Sequence, residues 1–184
     1  MVAVFLADGF EEVEAVAPID ILRRAGVEVQ TVGVTGKTVC GAHGMVLAAD
    51  MLPEELDENE VQGVILPGGM PGTTHLDESA QVHRWIDFAA QNGLLLGAIC
   101  AAPSVLGKKG LLAGKRATCF PGFEKYLTGA TLVDAPAVID GKTVTGWGAG
   151  GALAFGLALV TVLKGERAAR ELGQKMRCTD EWGM

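Results

Sequence analysis

The chain has 184 residues, 49% hydrophobic and 20% charged, with 26 Gly and 7 Pro spread along it. That is the make-up of one globular domain, and it excludes disordered, collagen-like and repeat architectures. Fifteen basic against 22 acidic residues leave a net charge of -7 with no Lys/Arg-rich run, so nucleic acid is not an expected partner.

The chain opens on VAVFLADG, a short, continuously apolar run ending in Gly, which predicts a strand. FEEVEAVAPIDILRRAG follows, where Val13, Val16, Ala17, Ile19, Ile21 and Leu22 fit a mostly buried helix closed by Gly26, with Pro18 expected to kink it. VEVQTVGV is a second strand, and GKTVCGAHGMVLAADMLPEEL reads as a small strand or hairpin excursion. VQGVILPGG and LLLGAI are further buried strands flanking a helix in SAQVHRWIDFAAQNG.

GAICAAPSVL turns from strand into helix, APAVIDGKTVTG carries an Asp140-Gly141 hairpin signal, and GALAFGLALVTVLKGERAARELGQKM supplies two helices. The longest apolar run, residues 151 to 163, is too short for a bilayer and is followed by KGER, so no membrane partner is expected. No linker divides the chain; residues 1–177 are read as one domain and 178–184 as a C-terminal tail. The first residues lack the basic segment and cleavage site of a signal peptide, from which a cytoplasmic location is expected. Alternating strands and helices, each strand apolar throughout, predict an α/β fold whose mostly parallel sheet is covered by helices on both faces.

In such a sheet the loops at the C-terminal ends of the strands collect functional groups, and ADGFEEVE, LPGGMPG and GAICAAP are the distinctive ones. Cys40, Cys100, Cys119 and Cys178 show no CxxC or zinc spacing, so free thiols and no metal are expected, and no motif calls for a cofactor. Cys100 differs from the other three. Ala98 and Ala102 stand two before and two after it, as a nucleophile on a sharp strand-to-helix turn requires. A helix N-terminus there would lower the thiol pKa, whereas the plain alternative is a small buried hydrophobe.

Gly68 and Gly69 either make a tight turn or let backbone N–H groups approach the Cys100 elbow as oxyanion donors, with Gly69 first choice and the Ala101 N–H as its companion. Glu11, Glu12 and Glu14 suit a helix start and need mean nothing more. Glu14, placed on the Val13 side of the helix with apolar neighbours, would have a raised pKa and donate a hydrogen bond to the cysteine. His43, His75 and His83 all precede Cys100, and residue 101 is Ala, so an adjacent Cys-His pair of the amidotransferase or peptidase kind is absent.

Taken together, ADGFEEVEAVAPIDILRRAG, VILPGGMPGTTHLDES and GAICAAPSVL resemble the DJ-1 family of the DJ-1/ThiJ/PfpI superfamily, over roughly Val2 to Lys175. The resemblance implies a flavodoxin-like three-layer sandwich, a homodimer, an oxidation-prone cysteine at Cys100, a protonated carboxyl at Glu14 and the glycine pair Gly68 and Gly69. It matches Arg24 to a family arginine and His43 to a basic residue reaching in from the partner subunit, and it puts Phe120 where some members carry a histidine. Three activities are implied: glyoxalase III or deglycase chemistry on a small carbonyl compound, peroxide sensing by an oxidant at Cys100, and chaperone function.

Overall fold

The computed structural model describes residues 1–178; of the expected tail, all but Cys178 lies outside the described residues. Six strands form the central sheet: β1 (Val2–Leu6), β2 (Val29–Gly33), β5 (Gly63–Leu66), β6 (Leu95–Ile99), β9 (Ala137–Asp140) and β10 (Thr143–Gly146). Their order is β2-β1-β5-β6-β10-β9, and every pairing is parallel except that of β9 with β10. Two small ribbons lie outside the sheet: an antiparallel hairpin of β3 (Thr38–Cys40) and β4 (Val46–Ala48), and a parallel pair of β7 (Arg116–Ala117) and β8 (Thr131–Leu132).

Each buried strand feeds two cores because successive side chains point to opposite faces. In β1, Ala3 and Phe5 join Leu66, Trp85, Ile86 and Leu106 on one face, while Val2, Val4 and Leu6 join Ile21, Leu22, Phe155 and Leu159 on the other. The first core is closed by α2 (Gly72–Glu78), α3 (Ala80–Gln91) and α4 (Pro103–Lys108), the second by α1 (Glu12–Arg24), α5 (Ala152–Lys164) and α6 (Glu166–Lys175). Phe155 sits close on the sheet because β6 and β10 carry glycines beneath it: a Cβ at Gly97 or Gly146 would come 3.3 or 3.2 Å from its ring. The result is a three-layer α/β sandwich with helices on both faces of a mostly parallel sheet.

Several local expectations shift. Pro18 lies inside α1, as the pattern places it, and its missing N–H is the one that would have bonded the carbonyl of Glu14. The buried face of α1 is Glu12, Ala15, Ile19 and Leu22 with Glu14, Pro18 and Ile21, whereas Val13 and Val16 are exposed. The helical face is therefore rotated from the one the apolar residues alone suggest. In the β9–β10 hairpin Asp140 pairs with Thr143, so Gly141 and Lys142 form the loop, with Gly141 in the left-handed region at φ 58. Helix α2 has no apolar periodicity to announce it.

Candidate active site

The strand order sets β1, β5 and β6 side by side, so the loops after them converge at one edge. Cys100 follows β6 directly and is held at φ 65, a conformation non-glycine residues rarely adopt. Two bonds fasten this elbow: the Cys100 N–H donates to the Gly146 carbonyl at 2.8 Å, and the Cys100 carbonyl accepts from the Phe120 N–H at 2.8 Å. With its own backbone committed, Cys100 has the N–H groups of Gly69 and Ala101 near its sulfur, where they favour the thiolate.

Glu14 enters from the first turn of α1, only 1% exposed. Its Oε2 accepts the Gly68 N–H at 3.0 Å, and its carboxyl hydrogen-bonds Cys100. Gly68 makes the contact possible, since a Cβ there would lie 2.5 Å from Glu14 Oε2 and 2.6 Å from Cys100 Cβ. Gly69, at φ 88, runs so close to Gly9 and Glu11 that a side chain has no room. Of the three backbone donors considered, Gly69 and Ala101 face the sulfur, while Gly68 is spent on the carboxyl.

Burial, aided by the charge of Glu11, pushes Glu14 up from 4.5 to about 7, against the hydrogen bonds from Cys100 and Gly68. The expectation of a lowered thiol pKa is overturned. Burial, then the charge of Glu14, pushes Cys100 up to about 12, with the Gly69 and Ala101 N–H groups opposing. The physical reason is that α4 begins only at Pro103 and has six residues, so its end is too distant and too short to offset desolvation. Glu14 is buried beside Pro18 and Ile21, not on the Val13 side.

The remaining candidates lie apart from the sulfur. Arg24 is ten residues beyond Glu14, about 15 Å along the helix, and bonds Asp20 at 2.6 Å on the surface. His43 reaches Glu12 of its own chain, Nδ1 to Oε2 at 3.0 Å, with Glu11 at 3.5 Å. These three donors lie within 4.8 Å of one another, the one such group among the described residues. His43 pairs with Glu12 and lies beside Glu11, so the group sets one imidazole against two carboxylates. His75 and His83 bond the carbonyls of Asp8 and Asp77, so no imidazole addresses Cys100.

Glu12 is the residue that sequence reasoning underrated. Burial opposes its ionisation, but the His43 ring and the N–H groups of His43 and Met45 hold it down at about 2. Its Oε1 thereby pins the β3–β4 hairpin to the start of α1. The signal was available, since Glu12 stands at i relative to Ala15 and Ile19 on the buried face. Of the other cysteines, Cys40 is exposed, Cys178 half-buried, and Cys119 buried with its thiol raised to about 11 by desolvation and by Glu124.

A carboxyl raised on folding keeps its proton in the folded chain where the unfolded chain has lost it. Its stabilising contribution is complete below about 4.5 and disappears as the pH rises through about 7. For Glu14 this amounts to about 3 kcal/mol. Wild-type urea midpoints are therefore expected to fall between pH 5 and 8 more steeply than those of Glu14→Gln; parallel curves would show that the carboxyl is not raised.

Comparison with known proteins agrees with this geometry. The profile of the DJ-1/PfpI family matches residues 1–162. DJ-1beta of Drosophila melanogaster is 33% identical over 174 residues, covering 93% of each chain. DJ-1 homolog B of Arabidopsis thaliana is 38% identical over 91% of this chain, which spans only 39% of that longer protein, and 44% of homolog A. A Pyrococcus abyssi protein named a deglycase is 31% identical, with 89% of this chain and 99% of that one covered. Among solved structures, an oxidized DJ-1 of Toxoplasma gondii superposes with a TM-score of 0.90 at 34% identity, covering 96% of this chain and 97% of that one. With its flavodoxin-like sandwich and its cysteine elbow, the chain belongs to the DJ-1/PfpI family.

Proposed function

We propose that Cys100 and Glu14 form a cysteine-dependent catalytic pair acting on 2-oxoaldehydes or their adducts, as a glyoxalase III or deglycase. The observation that carries this is a buried carboxyl near neutrality in hydrogen-bond contact with a thiol on a strained elbow. Glu14 takes the thiol proton as the sulfur adds to the aldehyde carbon, and returns it to the new oxyanion, which Gly69 and Ala101 N–H groups stabilise. The same carboxylate then removes the carbon-bound proton of the hemithioacetal to give an enediol and delivers it to the neighbouring carbon, while the hydroxyl proton passes from the first oxygen to the second, leaving a thioester carbonyl and a 2-hydroxyl group. Water cleaves the resulting thioester, so that methylglyoxal plus water gives lactate with no redox cofactor. The P. abyssi relative's name, deglycase, is consistent with carbonyl chemistry.

A second reading, peroxide sensing, is favoured by the two N–H groups at the sulfur. They and a protonated Glu14 are the donors a sulfinate would need. The T. gondii structure named as oxidized points the same way. We also propose a homodimer, because Val13 and Val16 on α1 and Met45 and Val46 on the pinned hairpin are between 41% and 61% exposed. Nothing in the chemistry calls for nucleic acid, and no described helix is long and apolar enough to cross a membrane.

Lactate formation from methylglyoxal is expected to vanish in Cys100→Ser and to fall about a hundredfold or more in Glu14→Gln. A rate retained in Cys100→Ser would remove the catalytic reading. Under limiting peroxide, intact mass and peptide mapping are expected to place two added oxygens on Cys100 before Cys40 is touched; preferential oxidation of Cys40, Cys119 or Cys178 would rule out the sensor. Light scattering is expected to give twice the chain mass for the wild type and a shift toward monomer in Val46→Lys; a monomeric wild type would refute the dimer.

A further inference from the structure

We propose that the cavity beside the Cys100–Glu14 pair receives the substituent of the carbonyl compound. The site then selects 2-oxoaldehydes bearing an uncharged aromatic or branched apolar group over methylglyoxal. This rests on the carbonyl-addition reading and adds to it which aldehydes fit.

The cavity has a volume of about 660 Å³, within the range of small-molecule sites. Phe120, Leu132, Val133 and Trp147 give it apolar walls, and Glu124 and Asp134 stand at it with no Lys or Arg among the lining residues. Phe120 and Leu132 are 47% and 51% exposed, so apolar surface stays open to solvent where a ligand can cover it.

Gly148 connects this space to the reacting groups. It lines the cavity, and a Cβ on it would lie 3.2 Å from the Phe120 ring and 3.9 Å from Glu14 Oε1. Phe120 also lines the cavity, and its N–H holds the Cys100 carbonyl. A carbonyl carbon bonded to the Cys100 sulfur would therefore have its substituent directed at an apolar recess that a methyl group leaves mostly empty. A phenyl or branched alkyl group fills more of it and takes more apolar surface out of water. The two carboxylates and the net charge of -7 disfavour anionic aldehydes such as glyoxylate.

The test compares kcat/KM for phenylglyoxal and methylglyoxal in the wild type, Phe120→Ala, Phe120→Leu and Leu132→Gln. The phenylglyoxal to methylglyoxal ratio is expected to be at least ten in the wild type. It is expected to fall at least tenfold in Phe120→Ala and Leu132→Gln, mainly through KM, and to recover in Phe120→Leu. A wild-type ratio near one, or a ratio unmoved by both variants, overturns the proposal. A second measurement does not depend on turnover: protection of Cys100 from iodoacetamide by 2-hydroxyacetophenone against hydroxyacetone. If neither aldehyde is consumed, the carbonyl-addition reading fails. The cavity assignment then stands if the aromatic ketone protects at a concentration at least tenfold lower and Leu132→Gln loses that advantage; equal protection by the two ketones, or none, overturns it.

Discussion

One negative charge and one proton shared by two buried acids govern this site. Glu14 and Cys100 are each raised by desolvation, and the charge of Glu14 makes the thiol costlier still to ionise, whereas the hydrogen bond from the thiol favours the carboxylate. At about pH 7 the carboxyl is half ionised, and from there up to about 12 the pair holds a single charge and one proton, which rests on either the carboxyl or the sulfur. Backbone donors oppose one another across that choice: the Gly68 N–H favours a carboxylate, and the Gly69 and Ala101 N–H groups favour a thiolate. Whatever places a new oxygen beside the sulfur recruits the second set and draws the proton toward Glu14 or the product.

The scaffold exists at this point to hold incompatible groups in contact. A positive φ at Cys100 costs energy that the surrounding bonds to Gly146 and Phe120 must offset. Gly68 cannot be enlarged without pushing the carboxyl and the cysteine apart, and Gly69 cannot without meeting the loop after β1. Glu12, two residues before Glu14, is treated in the opposite way: it too has little exposed surface, but its burial costs less and four hydrogen bonds, one from its own N–H, hold it ionised. Environment, not residue type, separates an acid that titrates near neutrality from one that never does.

Much of this is legible in the amino-acid sequence. Continuous apolar runs such as VILP and LLLGAI marked buried parallel strands, and small residues around Cys100 marked the elbow. The glycine pair announced a close approach without saying which N–H would serve which partner. The face of α1 was misjudged because hydrophobicity alone ranks Val13 above Glu14, whereas the helix buries Glu12 and Glu14 and leaves Val13 in solvent. The thiol's direction was misjudged because a sequence shows where a helix starts but not how much water the turn before it has lost. Gly148 and Trp147 went unnoticed because they reach the site from β10, distant in the chain and adjacent only in the sheet.

The missing imidazole bears on how such a site must work. Each histidine is bonded elsewhere, and Phe120 brings a ring with no proton to give. Every transfer in a carbonyl mechanism then passes through Glu14, which must act in turn as base and acid. A carboxyl at its ordinary 4.5 would take protons readily from nothing in the substrate, while one at about 7 is half-protonated at working pH and can do both. A thiol at about 12 is inert until that carboxylate relieves it of its proton. In the proposed reaction, reactivity therefore belongs to the contact between the two residues rather than to the cysteine, and Gly68 is the position that permits the contact.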